Sequence, residues 1–466
     1  MSLLLKIGWR NIVRNRRRSM MTISAVAAGA LAMLLFAGYT TYIFLGMETG
    51  YVQRSGHLRV FRSGYFLYGT GNPAAYGIDD YQSVMRLIGE DPVLKPMIRV
   101  LTPTQSLMGI AANYSGDDAA SKTFIGEGLV PSDRDRMRRW DPYHTGNVFA
   151  PDRRLSDADE SRGLIGSGLA RILNLCVPLA LANCPTAPVR SSQTDRPTVN
   201  TDLLELAARD VDTRRSVHQA PQIDLLAATV GGAPNVVSMT VGGAQPFGAK
   251  ELDDAVVIMH LALAQQLVYG RSEHKVTAIV MQLDRSQGMG RARSRLAALF
   301  KEHHLDLEVR DFGELTPFYG QVIQLFSGIF LFIALVMGVI VLFAVVNTMT
   351  MNVMERTNEI GTIRAMGVRR GRVRAQFVVE GALIGAIGAT CGTVLAVVSG
   401  AIINHAGLTW IPPGNNEPIA LYLYVLGRPG LLVGTWVGLV LVAVVAAFMP
   451  ANRAARLPVV DALRHV

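Results

Sequence analysis

The stretch MNVMERTNEIGTIRAMGVRRGRV, residues 351–373, contains an abrupt change from apolar to charged sequence. It overlaps the end of an uncharged run, residues 317–354, and then brings in Glu355, Glu359 and a series of arginines. As a helix, a run of this length is roughly 55 Å long, nearly twice the hydrocarbon core of about 30 Å. We therefore expect a spanning helix that protrudes from the bilayer or bends, followed by a short charged helix.

The composition around this stretch is that of a membrane protein. Of the 466 residues, 50% are hydrophobic and only 17% are charged, and the mean hydropathy is +0.28. A low charged fraction with positive hydropathy is typical of chains that span a bilayer. Four segments are long enough to do so, namely residues 19–47, 317–354, 375–403 and 431–449.

Basic residues cluster at three places along the chain, and these clusters predict its orientation. They lie before the first span, between the second and third spans, and after the fourth: Lys6, Arg10, Arg14, Arg16, Arg17 and Arg18; Arg356, Arg364, Arg369, Arg370, Arg372 and Arg374; Arg453, Arg456 and Arg464. Basic residues favour the cytoplasmic side. We expect an inner-membrane protein with both termini cytoplasmic, and the net charge of +9 does not indicate nucleic-acid binding.

The predicted domain organisation follows from these spans. We expect an α-helical membrane protein with four transmembrane helices and a large extracytoplasmic α/β (α+β) domain between helices 1 and 2, because strand-like and helix-like segments alternate there. One long helix is predicted over residues 251–269. The boundaries are an amphipathic helix at 1–18, the external domain at 48–316 with a flexible insertion at 176–233, a coupling helix at 355–374, an outer loop at 404–430 and a cytoplasmic tail at 450–466.

Catalytic and metal-binding motifs do not stand out in the sequence. The dipeptide Gly-Lys never occurs, so the GxxxxGK[ST] phosphate loop is missing, and so are GxSxG, HExxH and CxxC. We predict no catalytic residues, no metal site and no cofactor on this chain. Asp253 and Asp254 are expected to complement the start of a helix. Glu380, near the start of the third span, is either a functional acid or a partner of Arg374 or Arg372.

Three cysteines are too few for a disulfide framework. Cys176 and Cys184 lie in the predicted external domain, where an oxidising compartment favours a disulfide. A bridge between them and a pair of buried thiols remain equal alternatives. Cys391 lies within a span, where a small packing residue is expected.

Three motifs resemble one family. ERTNEIGTIRAMGVRRGRV, residues 355–373, resembles the ERxxEIGxxRAxGxxxxxI signature of FtsX-like ABC-transporter permeases. PANRAARLPVVDALRHV, residues 450–466, resembles their PAxRAARxxPxxALR ending, and GWRNIVRNRRRSMMTI, residues 8–23, resembles their WRNLxRxxxRTxLT entry. SGHLRVFRSGYF, residues 55–66, and WIPPGNNEP, residues 410–418, are similar to the stand-alone branch related to the lipoprotein-releasing LolC and LolE proteins.

The resemblance implies a dimeric permease that works with two copies of a separate ATPase. ATP and Mg are then expected on that partner chain. ATP binding would close the ATPase dimer, shift the spans and move the external domains, which is called mechanotransmission. A second permease copy or a paralogue, membrane lipids, and a periplasmic adaptor or a lipoprotein are the other partners that the resemblance implies.

The charged stretch is the predicted contact with the ATPase. At about 100° per residue, Ile360, Ile363 and Met366 share one arc of a helix. Charged residues flank this apolar ridge, and Gly367 is a natural helix stop. An exposed apolar ridge suits a groove on another protein, although an interfacial helix on lipid is the alternative. The predicted coupling residues are Glu355, Arg356, Glu359, Ile360, Ile363, Arg364, Met366 and Gly367.

Two function classes remain open on the sequence alone. The first is a transporter that extracts or exports a lipoprotein, a lipid or another amphiphile, or that serves efflux together with an adaptor. The second is a transmembrane regulator that activates a cell-wall hydrolase, and the 269 residues of the external domain favour transport over it. Met33, Phe36 and Phe326 are candidates to line a substrate cavity, with helix packing or lipid contact as the alternatives.

Overall fold

The structure, a computed structural model, describes residues 3–114, 119–143, 155–181, 221–247, 250–270, 274–410 and 419–458. The α-helices are numbered along the chain: α1 Leu3–Arg14, α2 Arg16–Ser55, α3 Tyr81–Glu90, α4 Pro131–Arg138, α5 Ser167–Ile172, α6 Lys250–Asp253, α7 Leu261–Tyr269, α8 Met289–Glu302, α9 Phe312–Leu315, α10 Pro317–Glu355, α11 Thr357–Ala365, α12 Arg370–His405 and α13 Pro429–Arg456. The strands are β1 Leu58–Arg62, β2 Ile98–Asn113, β3 Ala120–Leu129, β4 Arg162–Gly166, β5 Gln222–Ala228, β6 Pro234–Gln245, β7 Val256–His260, β8 Ala278–Leu283, β9 Leu307–Asp311, β10 Thr409–Trp410 and β11 Ile419–Ala420.

The chain divides into two compact units. The helical unit comprises Met1–Met47, Pro317–Trp410 and Ile419–Val466, and the sheet domain is formed chiefly by Glu48–Thr316. Four helices, α2, α10, α12 and α13, are long and apolar enough to cross a membrane. The predicted combination of four such helices with one large α/β domain is therefore present in the described residues.

Glycines on α12 set the packing of the helical unit. A Cβ at Gly381 or Gly385 would lie 2.4 or 2.6 Å from the Cβ of Ala447 or Ala443 on α13. A Cβ at Gly392 would lie 2.4 Å from the carbonyl oxygen of Ala27 on α2. Small residues spaced by four let helix backbones approach closely. The close approach of α12 to α13 and α2 therefore requires residues without a Cβ at these positions.

The helix boundaries near the charged stretch differ from the prediction. Instead of one coupling helix over 355–374, the chain ends α10 at Glu355, forms the short helix α11, and begins α12 at Arg370. The last long helix, α13, continues through Pro450 to Arg456, so part of the predicted tail is helical. Proline is tolerated in membrane helices because neighbouring groups satisfy the freed carbonyl.

The sheet domain contains a nine-stranded sheet in the order β3-β7-β4-β6-β5-β2-β8-β1-β9. Strands β2 and β3 also pair with each other along Gln105–Asn113 and Ala120–Gly128, which closes six strands into a ring. The first half of β2 pairs instead with β8. One apolar core contains side chains of α5, α7 and the ring strands, and a second lies between α3, α8 and the strands β1 and β8.

Two segments of the sheet domain differ from the prediction. The single helix over 251–269 is a short helix, strand β7 and helix α7, because Val256–His260 pairs with both β3 and β4, and this pairing overrides helical periodicity. The flexible insertion over 176–233 contains strand β5, which pairs with β2 and β6. Residues 182–220 of that insertion lie outside the described residues.

Candidate functional site

Helix α11 ends at the glycine that the sequence indicated. Gly367 has φ +88°, a conformation that side chains with a Cβ rarely adopt. Its N–H donates to the carbonyl of Arg364, and the N–H of Val368 donates to the carbonyl of Ile363. These two hydrogen bonds form a Schellman motif, which turns the chain back toward α12.

Glu359 on α11 is held by the N-terminal helix of the chain. Arg14 Nη1 and Nη2 donate to its two carboxylate oxygens at 3.0 and 3.2 Å. Arg356 Nε donates to the same carboxylate at 3.0 Å. The hydrogen bonds from Arg14 are the main cause that lowers the pKa of Glu359. A bidentate ion pair between Arg14 and Glu359 therefore joins helix α1 to α11.

Glu380 on α12 is the centre of a buried polar cluster. Its side chain is 1% exposed and accepts hydrogen bonds from Asn11 on α1 at 3.3 Å, from Asn352 on α10 at 3.1 Å and from Arg356 at 3.5 Å. The predicted pairing of Glu380 with Arg374 or Arg372 is wrong, because Arg356 is nearer to the core. Arg374 instead lies over the ring of Phe448, 5.5 Å from its centroid.

Arg356 donates to the carboxylates of both Glu359 and Glu380. Its guanidinium carbon also lies 5.7 Å from the centroid of the Phe377 ring. Only 8% of the residue is exposed. A buried arginine is stable only where acceptors and acids surround it. We call the set Asn11, Arg14, Asn352, Arg356, Glu359 and Glu380 the polar network; it connects α1, α10, α11 and α12.

The other predicted coupling charges also bind within the chain. Glu355 pairs with Arg18 on α2, and Arg364 donates to the carbonyl of Leu457. Glu355 therefore joins the end of α10 to the start of α2, and Arg364 joins α11 to the residue that follows α13. Because Glu355 and Arg364 bind within the chain, fewer charged side chains are available to contact an ATPase than the sequence predicted.

The apolar ridge is split between the core and the surface. Ile360 is 5% exposed and packs with Val353 and Phe377 in a small core. Ile363 is half-buried, and Met366 is 71% exposed. The prediction of three residues on one exposed face is wrong for Ile360, because α11 turns this side chain toward α12.

The residues proposed for a substrate cavity pack between helices. Met33 is buried in the core of the helical unit with Val341 and Val345. The Phe36 and Phe326 rings lie 6.5 Å apart between centroids. These contacts match the helix-packing alternative, and a substrate cavity at these residues stays a prediction.

The buried acid Asp253 and the cysteines were also predicted from the sequence. Asp253 caps a helix other than the predicted one: its carboxylate accepts from the N–H groups of Ser167 and Gly168 at the start of α5. Cys176 is disulfide-bonded and Cys391 is free. Cys184 lies outside the described residues, so its bridge to Cys176 stays a prediction.

The sequence analysis missed Asn11 and Asn352. Each asparagine lies beside apolar residues, in the segments GWRNIV and TMNVM. A polar amide within an apolar helix is a signal of an inter-helix hydrogen bond. That signal would have placed both residues opposite Glu380, the acid near the start of the third span.

A bundle of membrane-length helices that carries a large α/β domain defines a multi-pass membrane protein, and comparison with known proteins gives its family. The FtsX-like permease C-terminal domain matches residues 331–459, which include α11, α12 and α13 and most of α10. This part of the chain is therefore similar to the C-terminal domain of FtsX-like permeases, as the motifs predicted. The narrower relation to LolC and LolE stays a prediction.

The curated relatives are ABC transporters. The macrolide export ATP-binding/permease protein MacB of Neisseria meningitidis serogroup A is 36% identical over 155 residues, 33% of this chain and 21% of that protein. MacB of Escherichia coli is 24% identical over 258 residues, 54% of this chain and 37% of that protein. The chain thus spans well under half the length of these relatives.

One solved structure is also similar, the extracellular domain of the noncanonic ABC-type transporter YknZ from Gram-positive bacteria. The match covers 55% of this chain and 100% of that domain, with 11% identity and a TM-score of 0.29. A likeness at this TM-score carries no argument about fold or function.

Proposed function

We propose that this chain is the permease subunit of an ABC transporter that takes up movement from a separate ATPase and passes it to the sheet domain. In this proposal the ATPase forms a dimer and carries ATP and Mg, and two permease chains, identical or paralogous, pair in the inner membrane. The FtsX-like domain supports the transporter class, since the curated relatives are ATP-binding/permease proteins.

The polar network is the single observation that carries the proposal. Glu359, on a helix of only nine residues, is bonded through Arg14 to α1 and through Arg356 to Glu380 on α12. The Arg356–Glu380 pair is buried, so separating it leaves a charge without its partner at a cost of about 3–5 kcal/mol. The Arg14–Glu359 pair is about half exposed, so separating it costs less, up to about 1 kcal/mol. A displacement of α11 is therefore expected to move α1 and α12 with it.

Met366 and Ile363 supply the proposed contact with the ATPase. Met366 is 71% exposed at the end of α11, and Ile363 lies half-buried beside it. An apolar side chain that protrudes from a short helix suits a hydrophobic groove on a partner. The proposed contact is therefore smaller than the predicted ridge of three residues. It consists of Ile363 and Met366, whereas Ile360 belongs to the core.

The orientation in this proposal rests on charge. Arg14, Arg18, Arg356 and Arg364 all gather around α11, and basic residues favour the cytoplasmic face. In this orientation both termini are cytoplasmic, and the sheet domain is periplasmic.

The substrate in the proposal is an amphiphile such as a lipoprotein or a lipid. Efflux with a periplasmic adaptor is the second candidate, favoured by an exposed apolar stripe across β2 and β3. Met108 and Ile125 are directly opposed on these strands, and they are 58% and 52% exposed. Apolar residues grouped on an exposed sheet surface indicate a protein-binding site.

The proposed contact is tested with the tagged chain, purified from its host membrane in mild detergent. We expect an ABC ATPase, identified by mass spectrometry, to co-purify with it. Met366→Asp should reduce the amount of ATPase by at least about tenfold, because it buries a charge in the interface. The matched control Met366→Leu should retain the ATPase. An Asp variant that retains it while folded, or a chain with no ATPase, would contradict the proposal.

The stripe is tested in the same preparation by Met108→Lys with Ile125→Glu, which changes the surface without changing the net charge. Loss of a co-purifying periplasmic adaptor would support efflux. Retention of the adaptor, or its absence from the wild-type preparation, would argue against the second candidate.

A further inference from the structure

The sheet domain contains a basic cavity that the polar network does not involve. It lies between the last turn of α2, helix α4 and the strands β4 and β7, and it has room for water-sized molecules over about 90 Å³. A single water needs roughly 10–15 Å³ by this measure. The cavity therefore has room for a group considerably larger than one water molecule.

Three arginines line one side of this cavity: Arg54, Arg134 and Arg138. Arg134 Nη1 donates to the carbonyl oxygen of Arg54, which ties α4 to the last turn of α2. Among the described lining residues, Asp135 is the only carboxylate. Basic side chains therefore outnumber acidic ones by three to one among the described lining residues.

Glu127, an acid that acts electrostatically on Arg134, has partners of its own. Glu127 pairs with Arg59 at 3.7 Å and accepts from Thr104 Oγ1 at 3.3 Å. Burial lowers the pKa of the Arg134 guanidinium, and the positive charges of Arg54, Arg138 and Arg59 lower it further, against the opposing effect of Glu127. A bound anion would offset this repulsion.

Part of the cavity lining is apolar. Leu155, Leu164, Phe247 and Ile258 line it, and all four belong to a single apolar cluster with Leu129; we call this part the apolar side. A lining with both arginines and an apolar cluster matches a molecule with a charged head and a hydrocarbon part, because each half finds its own surface. A simple inorganic anion would leave the apolar side unused.

We propose that this cavity binds a phosphate-bearing amphiphile, with its phosphate on Arg54, Arg134 and Arg138 and its hydrocarbon part on the apolar side. Arginine is well suited to phosphate because its planar fork donates two parallel hydrogen bonds. Arg54 follows Met47, the end of the apolar run, by seven residues. Such a site goes beyond the proposed function, because it requires neither the ATPase nor transport.

Binding is tested on the full chain in detergent by calorimetry with three soluble probes. These are inorganic phosphate, dihexanoyl phosphatidic acid and dihexanoyl phosphatidylcholine, the last two below their critical micelle concentrations. We expect phosphatidic acid to bind at least about tenfold more tightly than either of the others, because only it has both an accessible phosphate charge and acyl chains. Equal affinity for inorganic phosphate would contradict the amphiphile and identify free phosphate as the ligand.

The residues are tested with the double variant Arg134→Gln, Arg138→Gln, and the matched control is Arg139→Gln. Arg139 is exposed at the end of the same helix and does not line the cavity. We expect the double variant to weaken phosphatidic acid binding by at least about tenfold, whereas the control leaves it unchanged. Equal weakening by the control, or no binding to the wild-type chain, would overturn the proposal. The single variant Arg54→Gln provides the same comparison if the double variant does not fold.

Discussion

Two buried carboxylates, Glu380 in the helical unit and Asp253 in the sheet domain, are held in different ways. Asp253 accepts from the backbone N–H groups of Ser167 and Gly168, and also from Phe247. Glu380 accepts from side chains on α1 and α10 and from Arg356. The carboxylate of Asp253 on backbone amides fixes the first turn of α5, whereas the carboxylate of Glu380 on side chains of separate helices joins elements that can move.

The largest effect is expected where Glu380 is removed. Glu380→Ala leaves the Arg356 guanidinium buried without that acceptor, so the free energy of unfolding should fall by about 3–5 kcal/mol. Chemical unfolding in detergent measures the change. Glu380→Gln, which keeps the side-chain volume and one acceptor oxygen, is the matched control and should lose less. A loss below about 1 kcal/mol for the alanine variant would contradict a stabilising role of the polar network.

The second effect concerns pH and the sheet domain. Burial lowers the pKa of His57 from 6.5 to about 4. Between these values the unfolded chain binds one proton more than the folded chain, so stability is complete above pH 6.5 and falls as pH drops toward 4. The expected loss is about 3 kcal/mol.

Tryptophan fluorescence can follow this unfolding, because the Trp140 ring lies 4.9 Å from the His57 ring. Replacing Trp9, Trp410 and Trp436 with Phe isolates the signal. In a His57→Asn chain, the contribution of His57 to the pH slope should disappear. An unchanged slope would mean that other groups cause the acid sensitivity.

The third effect sharpens the contrast between the two acids. Asp253→Ala removes the acceptor for the first turn of α5 and should destabilise the sheet domain by about 2 kcal/mol, the upper end of the range for a lost helix cap, because this carboxylate is buried. Asp253→Asn, which retains one acceptor oxygen, should lose about half as much. Neither variant should alter ATP turnover by the proposed complex of permease and ATPase. A change in turnover at normal stability would contradict the proposed difference between Asp253 and Glu380.

The smallest effect tests the close packing around the network. Gly381→Ala places a Cβ about 2.4 Å from that of Ala447, so overlap should outweigh the gain in helix propensity by about 1 kcal/mol. Gly438→Ala, where no neighbouring atom lies within 4 Å, is the control and should be neutral or slightly stabilising. Thermal unfolding of both variants in one detergent measures the difference, and equal melting temperatures would argue against close packing at Gly381.

The sequence predicted the membrane-length helices well, because uncharged runs and arginine clusters are local signals. Gly367 was predictable for the same reason, since its φ follows from a short motif. Strand β7 was not, because Val256–His260 is a strand only through its pairing with β3 and β4. The partners of Glu380 were also missed, since Asn11 and Asn352 lie 369 and 28 residues away in sequence.

Contacts that depend on the tertiary structure were also missed in the predicted coupling helix, residues 355–374. Periodicity placed Ile360, Ile363 and Met366 in one arc, but it does not state which side of a short helix faces its own chain. The structure turns Ile360 inward and leaves Met366 outside. The charges around this arc, expected to serve a partner, bind α1, α2 and the end of α13.

The most direct test of the account measures binding and turnover of the ATPase in the same preparation of Glu359→Gln. This variant retains the shape of Glu359 but loses its charge toward Arg14 and Arg356. The account predicts that the ATPase co-purifies at the wild-type ratio, while permease-dependent ATP hydrolysis falls at least about tenfold, because movement of α11 no longer reaches α1 and α12. Wild-type turnover in a folded Glu359→Gln complex would contradict the role of the polar network.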